Sequence, residues 1–129
     1  MRQIFVVVER SGDGIDESAL ELLTAARGLG EATVSAVLMG ADLADLASEA
    51  ARWFDSVYLF DDPALAIPDG DLQSRIMAPL IDREKPFVTL VPHTNTGREL
   101  APMLSGRAGT PLIADAVAMG SCAARGGDA

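Results

Sequence analysis

Residues 87–102 read FVTLVPHTNTGRELAP, and this stretch decides the fold class. An apolar run typical of a buried strand leads into a polar turn, and apolar residues at helical spacing follow the turn. The same order of strand, turn and helix begins at Ile4 and recurs along the chain. Such alternation is typical of right-handed βαβ units, in which helices cover both faces of a parallel sheet. The sequence therefore predicts a three-layer α/β/α fold with a mainly parallel sheet.

Apolar runs and helical spacing locate the elements of this fold. The predicted strands cover residues 3–8, 33–39, 56–60 and 87–91, with a fifth apolar run at 111–117. The predicted helices cover residues 19–29, 42–53, 72–83 and 96–105. We expect Gly30 to end the first helix in a left-handed conformation. We also expect one domain over residues 1–119 and a flexible tail over 120–129, while the strand order stays open.

Two sequence patterns fit capping boxes at helix starts. Ser18-x-x-Glu21 opens the first helix, with Asp16 as an alternative cap, and Thr96-x-x-Glu99 opens the fourth. In a capping box the hydroxyl accepts a hydrogen bond from a backbone amide, and the acidic side chain reaches back. Pro102 lies inside the fourth helix and has no amide proton to donate. This loss would matter less if Pro102 lies in the first turns, because amides there have no partner within the helix.

The composition limits the class of protein. Of the 129 residues, 49% are hydrophobic and only 5% aromatic, so aliphatic side chains must form the core. The net charge of −9 argues against nucleic-acid binding, which needs clustered Lys and Arg. The acidity has two interpretations, which are solubility and a surface for a basic partner.

Cysteine usage and apolar stretches bear on the location of the protein. Cys122 is the only cysteine, so no internal disulfide can form. No apolar stretch approaches the roughly 20 residues of a membrane helix, and no basic leader with an apolar centre opens the chain. We expect a soluble cytoplasmic protein without a membrane span.

The turn Thr94-Asn95-Thr96-Gly97-Arg98 is the strongest candidate for a binding site. It offers hydroxyl groups, backbone amides at a helix start, and a guanidinium group, all of which suit an anion. A capped helix start with Arg98 in a salt bridge explains the same residues without a ligand. Arg98 is also suited to a protein interface, because its planar fork binds carboxylates at two points.

Catalytic and metal sites find little support in the sequence. His93 is the only histidine, and catalysis would need a partner such as Asp61 or Asp62 at another strand end. One histidine and one cysteine are too few for a zinc site. The turn at 11–14 contains G-x-G, but Glu17 stands where a dinucleotide-binding motif requires glycine. We therefore predict no catalytic residue, no metal site and no enzyme activity.

The segment TNTGRELAP, residues 94–102, resembles the T-x-x-G-R-[DE]-L-A-P segment in the N-terminal domain of the electron transfer flavoprotein alpha subunit. Four other segments also resemble that family, in the same order along the chain. They are IFVVVE at 4–9, ALELLTAARGLG at 19–30, SVYLFDDPAL at 56–65 and GTPLIADAVAM at 109–119. The resemblance therefore covers nearly the whole chain.

The resemblance implies an adenine-nucleotide-hydrolase-like fold and a place in electron transport. In this family the alpha subunit pairs with a beta subunit, which holds AMP in many members. The heterodimer carries FAD, mainly on a later domain of the alpha subunit, and exchanges electrons with redox partner proteins. This chain ends where that FAD-binding domain would begin. The expected partners are a beta-like subunit, a separate FAD-binding domain and redox proteins, and we expect that this chain alone does not bind FAD.

Two main hypotheses for the function remain, beside a third in which the domain is degenerate and serves assembly alone. In the first, the chain is an electron-transfer component that pairs with a beta-like subunit through residues 95–98 and frames a flavin held elsewhere. In the second, it is a small module that binds an adenine nucleotide such as AMP. The base would then lie near residues 8–11 and 38–40, with the phosphates near 94–98. The glycine loop of ATP-binding stress proteins is absent, which weakens the second hypothesis.

Overall fold

A five-stranded sheet with helices on both faces forms the centre of the molecule. The computed structural model describes residues 2–12, 14–107 and 113–115. The sheet order is β5-β4-β1-β6-β7, and every neighbouring pair is parallel. This arrangement confirms the predicted α/β/α fold class.

The elements follow one another in the order that the sequence predicted. The strands of the main sheet are β1 (Arg2–Val8), β4 (Ala32–Gly40), β5 (Ser56–Asp61), β6 (Val88–Val91) and β7 (Ile113–Asp115). Two short strands, β2 (Arg10–Ser11) and β3 (Gly14–Ile15), form an antiparallel hairpin that was not predicted. The helices are α1 (Glu17–Arg27), α2 (Ala44–Trp53), α3 (Gly70–Glu84) and α4 (Asn95–Arg107), and a 3₁₀ turn covers Pro63–Leu65.

Strand β1 lies at the centre of the sheet and is buried on both faces. Ile4, Val6 and Val8 point to one hydrophobic cluster, whereas Phe5 and Val7 point to the other. A central parallel strand needs such a continuous apolar run, because helices cover both of its faces. Side chains of α1 and α2 complete the first cluster, and side chains of α3 and α4 complete the second.

The strand order creates a switch point beside β1. From β1 the chain moves outward to β4 and β5, and then returns to place β6 on the other side of β1. Helices that follow β1 and β6 therefore lie on opposite faces of the sheet. In open α/β sheets a crevice forms at this point, beyond the carboxyl ends of the strands.

The predicted ends of the first helix need correction. Asp16 caps α1 by accepting a hydrogen bond from the amide of Ser18 at 3.0 Å. Ser18 lies inside the helix, so its capping box with Glu21 does not form. The helix ends at Gly28, which has right-handed angles, and Gly30 adopts a positive φ of 110° two residues later.

The second predicted capping box does not form either. The hydroxyl oxygen of Thr94, not of Thr96, accepts the amide proton of Gly97 at 3.0 Å. Glu99 binds outside its own helix, where its Oε1 accepts from the amide of Gly70 at 2.7 Å. Pro102 lies well past the first turn of α4 rather than at its start, and it is exposed.

Strand β5 forms one edge of the sheet. Its outward-facing Leu59 is 45% exposed, and aspartates flank the strand at Asp55, Asp61 and Asp62. Charged residues at the ends of an edge strand are a common protection against pairing with another chain. Among the described helices, none is long and apolar enough to cross a membrane. The predicted tail at 120–129 lies outside the described residues, as do residues 111–112 and 116–117 of the fifth apolar run.

Two methionines allow a matched test of the packing between α3 and the sheet. Met77 of α3 is 0% exposed, whereas Met103 of α4 is 38% exposed. We expect Met77→Ala to lower the free energy of unfolding by about 2–5 kcal/mol, because truncation of a buried side chain leaves a cavity. Met103→Ala should change it by less than about 1 kcal/mol. Urea unfolding followed by circular dichroism measures both values, and equal losses would contradict this packing.

Candidate functional site

The switch point brings the end of β1 next to the turn after β6. The hydroxyl of Thr94 donates a hydrogen bond to Oε2 of Glu9 at 3.0 Å and accepts from the amide of Gly97 at 3.0 Å. This chain of hydrogen bonds joins residues 85 positions apart in the sequence. It fixes the predicted turn 94–98 against the central strand.

The carboxyl group of Glu9 lies in a partly buried position. Burial raises the pKa of Glu9 above its ordinary value of 4.5, and the negative charge of Asp16 acts in the same direction. The hydrogen bond from Thr94 lowers that pKa and offsets part of the effect. The folded protein therefore holds the Glu9 proton more firmly than the unfolded chain does.

Gly97 is required by the tight path of this turn. A Cβ atom at position 97 would overlap the carbonyl oxygen of Pro92, which is part of the backbone and has little freedom to move. Glycine permits the close approach because it has no side chain. Steric crowding in the turn therefore explains the glycine of the sequence motif without a bound ligand.

The exposed side of the turn carries Arg98 and His93. The Nε and Nη2 atoms of Arg98 lie 3.2 and 2.9 Å from Nε2 of His93. The guanidinium therefore has a neighbour within its own turn. Asp61, considered above as a partner of His93, instead accepts the amides of Asp42 and Leu43 at 2.9 and 3.0 Å.

Carboxylates of the chain itself occupy most helix starts at this edge of the sheet. Asp16 binds the start of α1, and Asp61 binds the turn that leads into α2. At the start of α3, Asp69 accepts the amides of Asp71 and Leu72, and Glu99 accepts that of Gly70. Amides at helix starts are the usual binding place for phosphate groups. Carboxylates of the chain therefore already bind the starts of α1 and α3 and the turn before α2.

A cavity of about 510 Å³ lies between the carboxyl ends of β1 and β4. Its charged lining residues are Glu9, Arg10 and Asp42, and Thr96 from the predicted turn also lines it. Arg10 donates through Nη2 to the carbonyl oxygen of Asp42, and this hydrogen bond holds the guanidinium group against the turn before α2. The cavity wall therefore holds two acidic side chains and one basic side chain.

The structure separates the predicted site residues into two groups. Thr94, Gly97 and Thr96 face inward, toward Glu9, the backbone and the cavity, whereas Asn95 and Arg98 are exposed. Their role in binding a ligand or partner stays a prediction. Among the described residues, no group of three or more His, Cys, Asp and Glu side chains is arranged to hold a metal ion.

Sequence reasoning included Glu9 only within the range 8–11 and gave it no role of its own, and it missed Gln73 as a residue of the site. Glu9 directly follows a strand, and a charged residue at that position is a usable signal once β1 is recognised as central. Gln73 lies on α3 and lines the cavity, although it is far from β1 in the sequence. No local sequence pattern identifies Gln73 as a residue of the site.

Replacement of Glu9 should change how stability depends on pH. Because its pKa is raised in the folded state, ionisation of Glu9 lowers the free energy of unfolding as the pH rises from 4.5 through the folded pKa. Glu9→Gln removes that loss while its side-chain oxygen still accepts from Thr94. The variant should therefore gain stability over the natural chain as the pH rises from about 4 to about 7.

An exposed carboxylate provides the control for that measurement. Glu21→Gln on α1 removes one negative charge from the same acidic protein but from an exposed position. Urea unfolding at several pH values gives the difference from the natural chain for each variant. A difference for Glu9→Gln that stays constant with pH, or matches that of Glu21→Gln, would contradict the burial of this carboxyl group.

Comparison with known proteins now gives relatives for this fold and site. The chain is 34% identical over 121 residues to the electron transfer flavoprotein subunit alpha of Megasphaera elsdenii, a match covering 91% of this chain and 36% of the relative. It is 30% identical over 118 residues to the same subunit of Bacillus subtilis (strain 168), covering 90% and 36%. A further match, 30% identical over 118 residues, is the acryloyl-CoA reductase electron transfer subunit beta of Anaerotignum propionicum, covering 88% and 32%.

Two conclusions follow from these matches. The chain spans about a third of the length of the curated relatives it matches. The electron transfer flavoprotein domain matches residues 4–123, which is nearly the whole chain. The motif at 94–102 and its companion segments are thereby confirmed as marks of relationship, and the chain belongs to the electron transfer flavoprotein domain family.

Proposed function

We propose that this chain is an electron transfer flavoprotein alpha-subunit-like domain that pairs with a beta-like subunit. In this role it frames a flavin that is held mainly by other parts of the assembly, and it performs no catalysis itself. The observation that carries the proposal is the family match over residues 4–123, because it covers the fold and the 94–102 motif together. Its cytoplasmic location stays a prediction from the sequence.

The described residues do not suit FAD as a whole. The pyrophosphate of FAD needs free amides or cations, and carboxylates occupy the starts of α1 and α3 and the turn before α2. The charged residues that line the cavity beside β1 are Glu9, Asp42 and Arg10, so its carboxylates outnumber its single cation and disfavour phosphate. This mismatch supports the part of the proposal in which the flavin is held elsewhere.

The turn 94–98 is suited to contact with a partner protein. Its inner side is fixed by the hydrogen bonds among Glu9, Thr94 and Gly97, so the exposed side is ordered before binding. A preorganised surface loses less conformational entropy when it associates. Arg98 and Asn95 are exposed on it, and Arg is enriched among residues that dominate interface energies.

The pairing is tested by mixing the purified chain with the beta-like subunit of the same organism. We expect a complex in size-exclusion chromatography, and Arg98→Ala should weaken its affinity by about tenfold or more in calorimetry. Arg52→Ala provides a matched control, because Arg52 is also exposed but lies at the end of α2, away from this edge. Two separate elution peaks at every concentration would contradict the pairing.

The absorption spectrum of the purified chain tests the second part of the proposal. We expect no flavin band from the isolated chain, even after incubation with FAD and removal of the unbound cofactor. A yellow protein would contradict the view that the flavin is held elsewhere.

A second candidate function is binding of an adenine nucleotide. The cavity favours it, because its walls include the ends of β1 and β4 where the base was expected. The start of α4 is the remaining place for phosphates, and Glu9 stands beside it. We expect calorimetry with AMP, ADP and ATP to give no binding heat, because the acidic edge repels phosphate. Saturable heat with AMP would instead favour the nucleotide module.

A further inference from the structure

An apolar groove of about 490 Å³ lies at the outer edge of the sheet, between β5 and α3. Leu72 and Ile76, one turn apart on α3, line the groove, and both are half-buried. Neither side chain belongs to the two hydrophobic clusters that cover the sheet. Leu59 of β5 lines the same groove and is 45% exposed. These three side chains therefore form apolar surface that the described part of the domain leaves in contact with water.

The backbone of β5 determines the form of an occupant. Strand β5 pairs with β4 on one side, and no described strand pairs with its other side. A strand edge presents a row of amides and carbonyls, to which an extended peptide can add as a further strand. A small apolar molecule would fill the groove without using this row. The groove and the strand edge together therefore suit an extended segment of a protein.

Side chains of an added strand would meet apolar surface on both faces of the sheet. Along β5, Val57 packs against one hydrophobic cluster and Phe60 against the other. Leu59 lies on the same face as Val57, because side chains two residues apart in a strand share a face. An added strand would place one side chain against Leu72 and Ile76, and the next against Leu59. The segment that fits is therefore apolar at consecutive positions.

The charge at one end of the groove determines which segment fits. Asp61 and Asp62 line the groove, and no basic residue is among its described lining. Their carboxylates accept backbone amides, but neither forms an ion pair with a described side chain. A lysine or arginine beside them would complement this charge, and such complementarity favours one partner over others.

The other end of β5 and the charge of the whole chain narrow the choice further. Asp55 already pairs with Arg27 at 3.3 Å, so the unpaired carboxylates lie only at the Asp61 end. A second copy of this chain would bring its own aspartates to the edge, and each copy carries a net charge of −9. Like charges brought together act against a wrong partner. A segment with a basic residue therefore fits this edge better than a second copy does.

We propose that β5 receives an extended segment of a partner protein as a further strand of the sheet. The segment is apolar at consecutive positions and carries a lysine or arginine where it passes Asp61 and Asp62. Strands β4 and β1 separate this edge from β6 and the turn 94–98 that follows it. The inference therefore does not depend on the pairing proposed above.

A synthetic peptide tests the edge directly. The probe is the capped peptide Lys-Lys-Val-Thr-Val-Ile-Val-Lys-Lys, whose lysines at both ends allow either strand direction. The control peptide has glutamate in place of every lysine. Chain labelled with ¹⁵N is titrated with each peptide at about pH 7. We expect only the lysine peptide to give saturable NMR shifts at the amides of Tyr58, Phe60 and Ile76. It should also slow hydrogen exchange of the outward amides of β5 about tenfold.

Variants of the groove connect peptide binding to the apolar side chains. Leu59→Ser and Ile76→Ser should each weaken the peptide affinity about tenfold, because each removes apolar contact area. Met103→Ser is the matched control and should leave the affinity unchanged. Met103 is also partly exposed, but it lies on α4, beside β6 and β7. The NMR spectrum of each variant reports whether it folds.

A second pair of variants tests the charge. Asp62→Asn removes the carboxylate charge while its side-chain oxygen still accepts from Ala64, and it should weaken the peptide affinity about threefold. Glu21→Gln removes an exposed carboxylate of α1 and should leave the affinity unchanged. The same loss in both variants would mean that only the overall charge attracts the peptide, which would contradict the assigned contact.

Three further outcomes would overturn the proposal. The first is the absence of saturable shifts with the lysine peptide. The second is binding that leaves hydrogen exchange of β5 unchanged, or that is equally strong in Ile76→Ser and Met103→Ser. The third is a dimer of the chain alone in sedimentation experiments, with slowed exchange of the same amides, because a second copy would then occupy the edge.

Discussion

Burial of β1 on both faces is the constraint on which the rest of the structure depends. This strand has paired neighbours on each edge and an apolar cluster on each face, so its residues 4–8 are shielded from solvent until the strand ends. The first residue beyond it is Glu9, and the switch in chain direction places the turn after β6 directly against that carboxyl group. The geometry of the candidate site is therefore a consequence of where the central strand stops.

The sequence predicted those features that depend on periodicity. The four helices and the strands of the main sheet follow from apolar runs and helical spacing, and their alternation was sufficient for the fold class. The helix caps were predicted less well, because capping boxes are local patterns whereas Glu99 binds the amide of Gly70 on a different helix. Asp16 displaced Ser18 for a related reason, since the helix begins earlier than its first apolar residue indicates. Strand order and the inward position of Gln73 depend on contacts between distant segments. The spacing of residues in a single sequence does not reveal such contacts.

The candidate site differs in charge from the carboxyl edge that binds nucleotides in many open α/β sheets. In open α/β sheets, free amides at helix starts make the carboxyl edge attractive to phosphate. Here carboxylates placed by the neighbouring turns and by α4 reverse the charge of that edge without changing the strand order.

Strand β5 carries a further consequence of this acidic composition. No described strand pairs with its outer edge, and the side chain of Leu59 is exposed there, so this edge could extend the sheet into a second molecule. Antiparallel pairing of two copies would bring Asp55 of one molecule toward Asp61 and Asp62 of the other. Mutual repulsion of these aspartates would disfavour such a continuous ten-stranded assembly, so the acidic residues at the ends of β5 protect this edge against pairing with another copy.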